Sequence, residues 1–98
     1  MALENRLGLG LVRQPKTVLF GPGQRRQLGR YARGFGTSAL VVTDERMATT
    51  PEFKAMVADL ESAGLSVAVF DQALPDLPRQ NVLDVVVAHG EGGIDVIV

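Results

Sequence analysis

Residues Ala39-Leu40-Val41-Val42-Thr43-Asp44 open with four consecutive apolar side chains and close on a β-branched threonine and a carboxylate. A strand with one wet face alternates polar and apolar residues, and this one does not. Both of its faces must therefore be covered. A parallel sheet with helices on either side provides that cover, and such sheets take ligands beyond the carboxyl ends of their strands. Asp44 thus stands where a ligand-binding carboxylate is expected.

The flanking sequence supplies more elements of the same kind. Lys16-Thr17-Val18-Leu19-Phe20 reads as a strand stopped by Gly21-Pro22-Gly23. From Pro22 the pattern is helical: Leu28, Tyr31, Ala32 and Phe35 share one face, predicted to pack, while Arg25, Arg26, Arg30 and Arg33 point elsewhere into solvent. Gly34 and Gly36 are C-terminal stops. Thr49 with Glu52 reads as a capping box, and Pro51 suits the first turn of a second helix with the apolar stripe Phe53, Met56, Val57, Leu60. Gly64 ends that helix, Leu65 to Phe70 forms the next strand, and Asp71 terminates it. Pro75-Asp76-Leu77-Pro78 is a connection, because two prolines so close fit neither a helix interior nor a central strand. Val82, Val85, Val86 and His89 mark a third helix, Gly90, Gly92 and Gly93 break it, and Ile94 to Val98 begins a last strand.

The order β-α-β-α-β-α-β predicts an α/β fold with a doubly wound, Rossmann-like parallel sheet. If the third strand lies beside the second and the last returns to its other side, the winding reverses between the strands ending at Asp44 and Val98. A ligand crevice is expected there. The last strand should then be central, and a buried parallel strand with an open edge predicts a sheet incomplete at the C-terminus. With 98 residues there is room for one core, burying roughly 60 to 70% of the unfolded chain's surface.

A net charge of −1 and a pI near 5.7 provide no basic footprint for nucleic acid or an anionic membrane. The apolar run Leu7 to Val12 is too short and glycine-rich for a signal sequence or a membrane span. Without cysteine there is neither a disulfide framework nor a thiolate metal site. Small molecules and proteins remain as partners, and a cytoplasmic location is expected.

Phe20-Gly-Pro-Gly23, Ala39 to Asp44, Ala63-Gly64 before Val67-Ala-Val-Phe-Asp71, and Gly93-Ile-Asp-Val-Ile-Val98, in that order and spacing, resemble the amino-terminal part of iron-containing alcohol dehydrogenases. The likeness covers residues 15 to 98 and implies a partial dinucleotide-binding domain preceded by an extension over residues 1–14. In that family the strand matching Asp95 to Val98 runs into a Gly-Gly-Gly-Ser turn that holds the cofactor pyrophosphate, and the chain stops just before it. The family's divalent metal, iron or zinc, is held by a later helical domain.

The resemblance implies that Asp44 accepts hydrogen bonds from the adenosine ribose. A carboxylate has only acceptors and a ribose diol supplies donors. A 2′-phosphate would be repelled, so NAD is expected over NADP unless Arg46 compensates. Read without the resemblance, Asp44 is equally a helix cap. Where many family members carry Pro-Asn-Pro, this chain has Asp76 and Leu77; Asp76 keeps an acceptor near the cofactor but loses the amide donors, and it also reads as a turn aspartate. Gly21-Pro-Gly23 is a tight turn, since Arg26 replaces the third glycine of a dinucleotide fingerprint. His89, the only histidine, reads as structural, as do Asp71 and Asp95 at strand ends.

The resemblance implies an enzyme that moves hydride between an alcohol and a nicotinamide cofactor, aldehyde being the other partner and homo-oligomers a family possibility. A maleylacetate reductase-type reductase lies within the same likeness. A stand-alone α/β module that binds and catalyses nothing is the alternative from another class, because no nucleophile, base and orienting group converge in the sequence.

Overall fold

A computed structural model describes residues 10–98. Residues 1–9 of the expected extension lie outside the described residues.

Residues Gln24–Gln27 form a 3₁₀ turn that leads into α1 (Leu28–Arg33). Then follow β1 (Ser38–Val42), the single turn α2 (Glu45–Ala48), α3 (Pro51–Ser62), β2 (Ser66–Phe70), α4 (Arg79–His89) and β3 (Val96–Ile97). The strands form one parallel sheet in the order β2-β1-β3, so β1 is central. The chain steps from β1 to one neighbour and then crosses back to the other. That is the winding reversal of a doubly wound α/β sheet.

The register explains which residues are covered. Ala39 pairs with Val67 and Val96, and Val41 with Val69. Ala39, Val41, Val67 and Val96 face the side occupied by α1 and α3, where Ala32, Phe53, Leu60 and Leu65 complete the core. Leu40 and Phe70 belong to the other side and are also buried. The His89 ring meets Phe70 edge-on with centroids 6.4 Å apart, which places the end of α4 against that second face.

α3 shows the local rules at work. Thr50 is its N-cap, accepting from the Phe53 N–H at 3.2 Å, and Pro51 occupies the first turn, where its missing N–H has no helical partner to lose. Its stripe is as expected: Phe53 and Leu60 are buried, Met56 and Val57 half-buried. The expected capping box is corrected. With Thr50 as cap, Glu52 is one position too early to reach back, and the Thr49 hydroxyl donates instead to the Arg46 carbonyl.

Further expectations are corrected. Residues 16–20 form no strand: among the described residues no chain runs beside them, and Val18 and Phe20 are 73% and 98% exposed. A strand exists only through a neighbour's backbone. The helix after Pro22 begins as a 3₁₀ turn because Gly23 is left-handed and no side chain caps it. Its packed face is Leu28, Gly29 and Ala32, whereas Tyr31 and Phe35 are exposed. On α4 the Val82 and Val86 stripe is likewise exposed, and only Asn81 is buried. β3 lies on the far side of β1 from β2 with one edge unpaired among the described residues, as expected of an incomplete sheet.

Candidate functional site

Asp44 stands at the expected winding reversal, but the cleft at its side lies on the β2 flank rather than between β1 and β3. The winding reverses between β1 and β3, and the carboxyl ends there are tied by Val42 N–H to Val98 carbonyl (2.9 Å) and Val98 N–H to Leu40 carbonyl (2.9 Å). On the other flank Thr43 N–H donates to the Phe70 carbonyl (2.8 Å) and Ala73 N–H to the Thr43 carbonyl (3.2 Å). The loops leaving β1 and β2 are thereby held side by side. They enclose a cleft of about 320 Å³ lined by Asp44, Glu45, Arg46, Gln72, Ala73 and Leu74.

Asp44 is half-buried at the rim. Its backbone is extended and its Oδ1 accepts from the Met47 N–H at 2.7 Å, capping α2. The second oxygen, Oδ2, has no hydrogen-bond partner among the described residues. An ionised carboxylate accepts at both oxygens, so Asp44 caps the helix and still offers an acceptor to the cleft. The Arg46 side chain lines the same cleft, which is where a compensating charge for a phosphate was expected.

Asp76 lies on the loop after β2, outside the lining of this cleft. Its φ is +62° and that of Leu77 is +42°, with Leu77 N–H donating to the Leu74 carbonyl at 3.0 Å. Pro75 followed by a left-handed residue is the arrangement of a type II turn, and aspartate tolerates that region better than most residues. The structure brings Asp44 together with Gln72, Ala73 and Leu74 and leaves Asp76 beside them.

Two residues carry more of the cleft than their sequence suggests. Asn81, 4% exposed, donates from Nδ2 to the Gln72 carbonyl (3.1 Å) and accepts at Oδ1 from the Leu74 N–H (2.7 Å). A clue was present: an amide in the first turn after Pro78, where Asn is a weak helix former and serves best by bonding backbone. Gln72 is the other, and its clue is its place just past a strand's carboxyl end.

Asp95 Oδ2 accepts from Thr37 N–H (2.8 Å) and Ser38 N–H (3.1 Å), at the opposite end of the sheet from Asp44. Asp71 accepts from its neighbour Gln72. Gly21 and Gly23 have φ of +144° and +77° in a tight turn. Arg25, Arg26, Arg30 and Arg33 are exposed. A larger cleft of about 510 Å³, walled by Lys16, Leu19, Leu28, Tyr31 and Phe35, accounts for the outward face of α1. It is mainly apolar and carries none of the strand-end groups. Among the described residues no helix is long and apolar enough to cross a membrane.

Residues 15–98 match the family described as iron-containing alcohol dehydrogenase. Among solved structures, the chain is similar to a 1,3-propanediol oxidoreductase at 28% identity and a TM-score of 0.80, covering 85% of this chain and 22% of that one. It also shares its fold with an alcohol dehydrogenase from Oenococcus oeni (23% identity, TM-score 0.77, 85% and 22% covered). A mutant of an archaeal halo-thermophilic Red Sea brine pool alcohol dehydrogenase shows the same fold at 24% identity and a TM-score of 0.71, covering 76% and 19%. No curated protein sequence matches the chain significantly. The chain spans about a fifth of the length of the solved structures it matches.

Proposed function

Because the chain belongs to the iron-containing alcohol dehydrogenase family, we propose that it forms the adenosine-holding part of the nucleotide site in a protein that moves hydride between an alcohol and NAD. The observation that carries this reading is the placement of Asp44: at the carboxyl end of the central strand, beside the winding reversal, with one carboxylate oxygen uncommitted. A ribose diol supplies two donors, and Oδ2 is an acceptor at the cleft rim. Each hydrogen bond to that charged group contributes about 1.5 to 3 kcal/mol.

When bound, the nicotinamide supplies hydride transfer; the residues described bind and orient the opposite end of the cofactor. Asp44 holds the ribose, and the Gln72–Leu74 segment walls the cleft beside it. A 2′-phosphate at the ribose would meet the Asp44 carboxylate, so NAD is favoured over NADP, with Arg46 tempering the difference. Asp76, on the adjoining turn, contributes a further carboxylate on the cofactor side. Among the described residues no three His, Cys, Asp or Glu side chains cluster as a metal site. The family likeness assigns the divalent metal, iron or zinc, and the alcohol or aldehyde to a later helical domain.

Asp44→Ala in the protein carrying this chain is expected to weaken NAD by about 1 to 3 kcal/mol and to narrow the preference over NADP. Calorimetric titration of both cofactors measures it. Unchanged affinity for both overturns the assignment.

A further inference from the structure

Asn81 is the one buried polar side chain among the described residues. It stands in the first turn of α4, yet its amide is spent on backbone groups seven and nine residues earlier. Its Nδ2 holds the Gln72 carbonyl and its Oδ1 holds the Leu74 N–H, and both of those residues line the cleft with Asp44. Between the clamp and the loop lie two prolines and two non-glycine residues at positive φ, Asp76 at +62° and Leu77 at +42°. Such conformations persist only where the surroundings over-determine them.

We propose that Asn81 is a positioning residue for the nucleotide: its amide fixes the Gln72–Leu74 wall of the cleft at the spacing the ligand needs from Asp44. The inference rests on the nucleotide reading of that cleft. The chemistry requires an amide, because one planar group must present an acceptor to Leu74 N–H and a donor to the Gln72 carbonyl. An ionised aspartate offers acceptors alone, and its charge would oppose the Gln72 carbonyl oxygen. An aliphatic side chain would leave both backbone groups without that partner.

The experiment compares Asn81→Asp, Asp44→Ala and the unaltered protein for binding of NAD and of AMP, which carries only the adenosine end, by calorimetry. Urea midpoints are recorded on each. N81D is expected to weaken NAD and AMP by the same factor, roughly 5- to 50-fold, at pH 8. Affinities are compared only where the urea curves show each protein fully folded, so a residue that merely held the fold together would lower the midpoint and leave the affinity of the folded protein unchanged.

AMP affinity lost in D44A but retained in N81D overturns the role of Asn81 alone. AMP affinity retained in both overturns the nucleotide reading and the inference with it. If N81D does not fold, Asn81→Ser serves in its place: it is too short to bridge both backbone groups, so the same equal loss of NAD and AMP is expected, and full affinity for both overturns the role of Asn81.

Discussion

Asp44 caps a helix through one oxygen and, on the proposed reading, holds the ribose through the other, and substitution can separate the two. Asparagine caps helices about as well as aspartate, whereas alanine at an N-cap costs about 1 kcal/mol. In Asp44→Asn the single carbonyl oxygen is taken by Met47 N–H, leaving the NH₂ group towards the ribose. Urea unfolding should therefore find Asp44→Asn within about 0.5 kcal/mol of the unaltered protein, while NAD titration finds it as impaired as Asp44→Ala. An asparagine variant with full NAD affinity would show that Asp44 is a cap and nothing more. Asp95 illustrates what is and is not legible at this scale. That a strand-end aspartate caps backbone is readable from sequence; that it caps Thr37 and Ser38, more than fifty residues away, is not. A Cβ on Gly36, whose φ is +155°, would fall within 2.6 Å of the Asp95 Cβ, Cγ and Oδ2 atoms. Gly36→Ala is accordingly expected to lose about 2 kcal/mol in urea unfolding, by displacing the carboxylate that joins β1 to the start of β3.

At the scale of elements, periodicity located the helices well and their buried sides less well. The stripe of α3 was readable because one face is long, apolar and packed on the sheet. α1 differs. It meets α3 through Gly29, whose N–H donates to Asp59 Oδ2 at 2.9 Å, and a Cβ there would stand 2.6 Å from the Asp59 carbonyl oxygen and 3.0 Å from the Ala63 Cβ. Close approach of two helices selects the smallest residues, which periodicity of large apolar side chains does not register. Alanine favours a helix by about 1 kcal/mol over glycine, but here it forces α1 away from α3. Gly29→Ala should therefore be destabilised by a net 1 to 2 kcal/mol or so, read as a lowered urea midpoint; a raised midpoint would mean the two helices have room to spare. The cap of α3 shifted from Thr49 to Thr50 for an equally local reason. Pro51 takes the first helical position, and only the residue before it can cap.

Taken whole, the molecule leaves much apolar surface uncovered. Its radius of gyration is 16.3 Å, against about 13 Å for a compact domain of this size. Val86, Val87 and Ile97 are 59%, 87% and 70% exposed, and β3 has one unpaired edge among the described residues. Edges and apolar faces of this kind promote association. The 98-residue polypeptide is expected to sediment as a concentration-dependent mixture, and Val87→Lys to shift it towards monomer without lowering its urea midpoint. A clean monomer at all concentrations would show that these faces are inert. Sequence by itself determined the α/β class, the parallel strands at residues 38–42 and 66–70, the helices between them and the place of Asp44 past the central strand. These depend on local spacing of apolar side chains and on turn residues, which act over a few positions. Only the tertiary structure decided that residues 16–20 find no neighbouring strand, that Tyr31, Phe35, Val82 and Val86 face outward, and that Asn81 is buried against the cleft wall. Burial and strand pairing are relations between distant segments, and no property of one segment specifies the other.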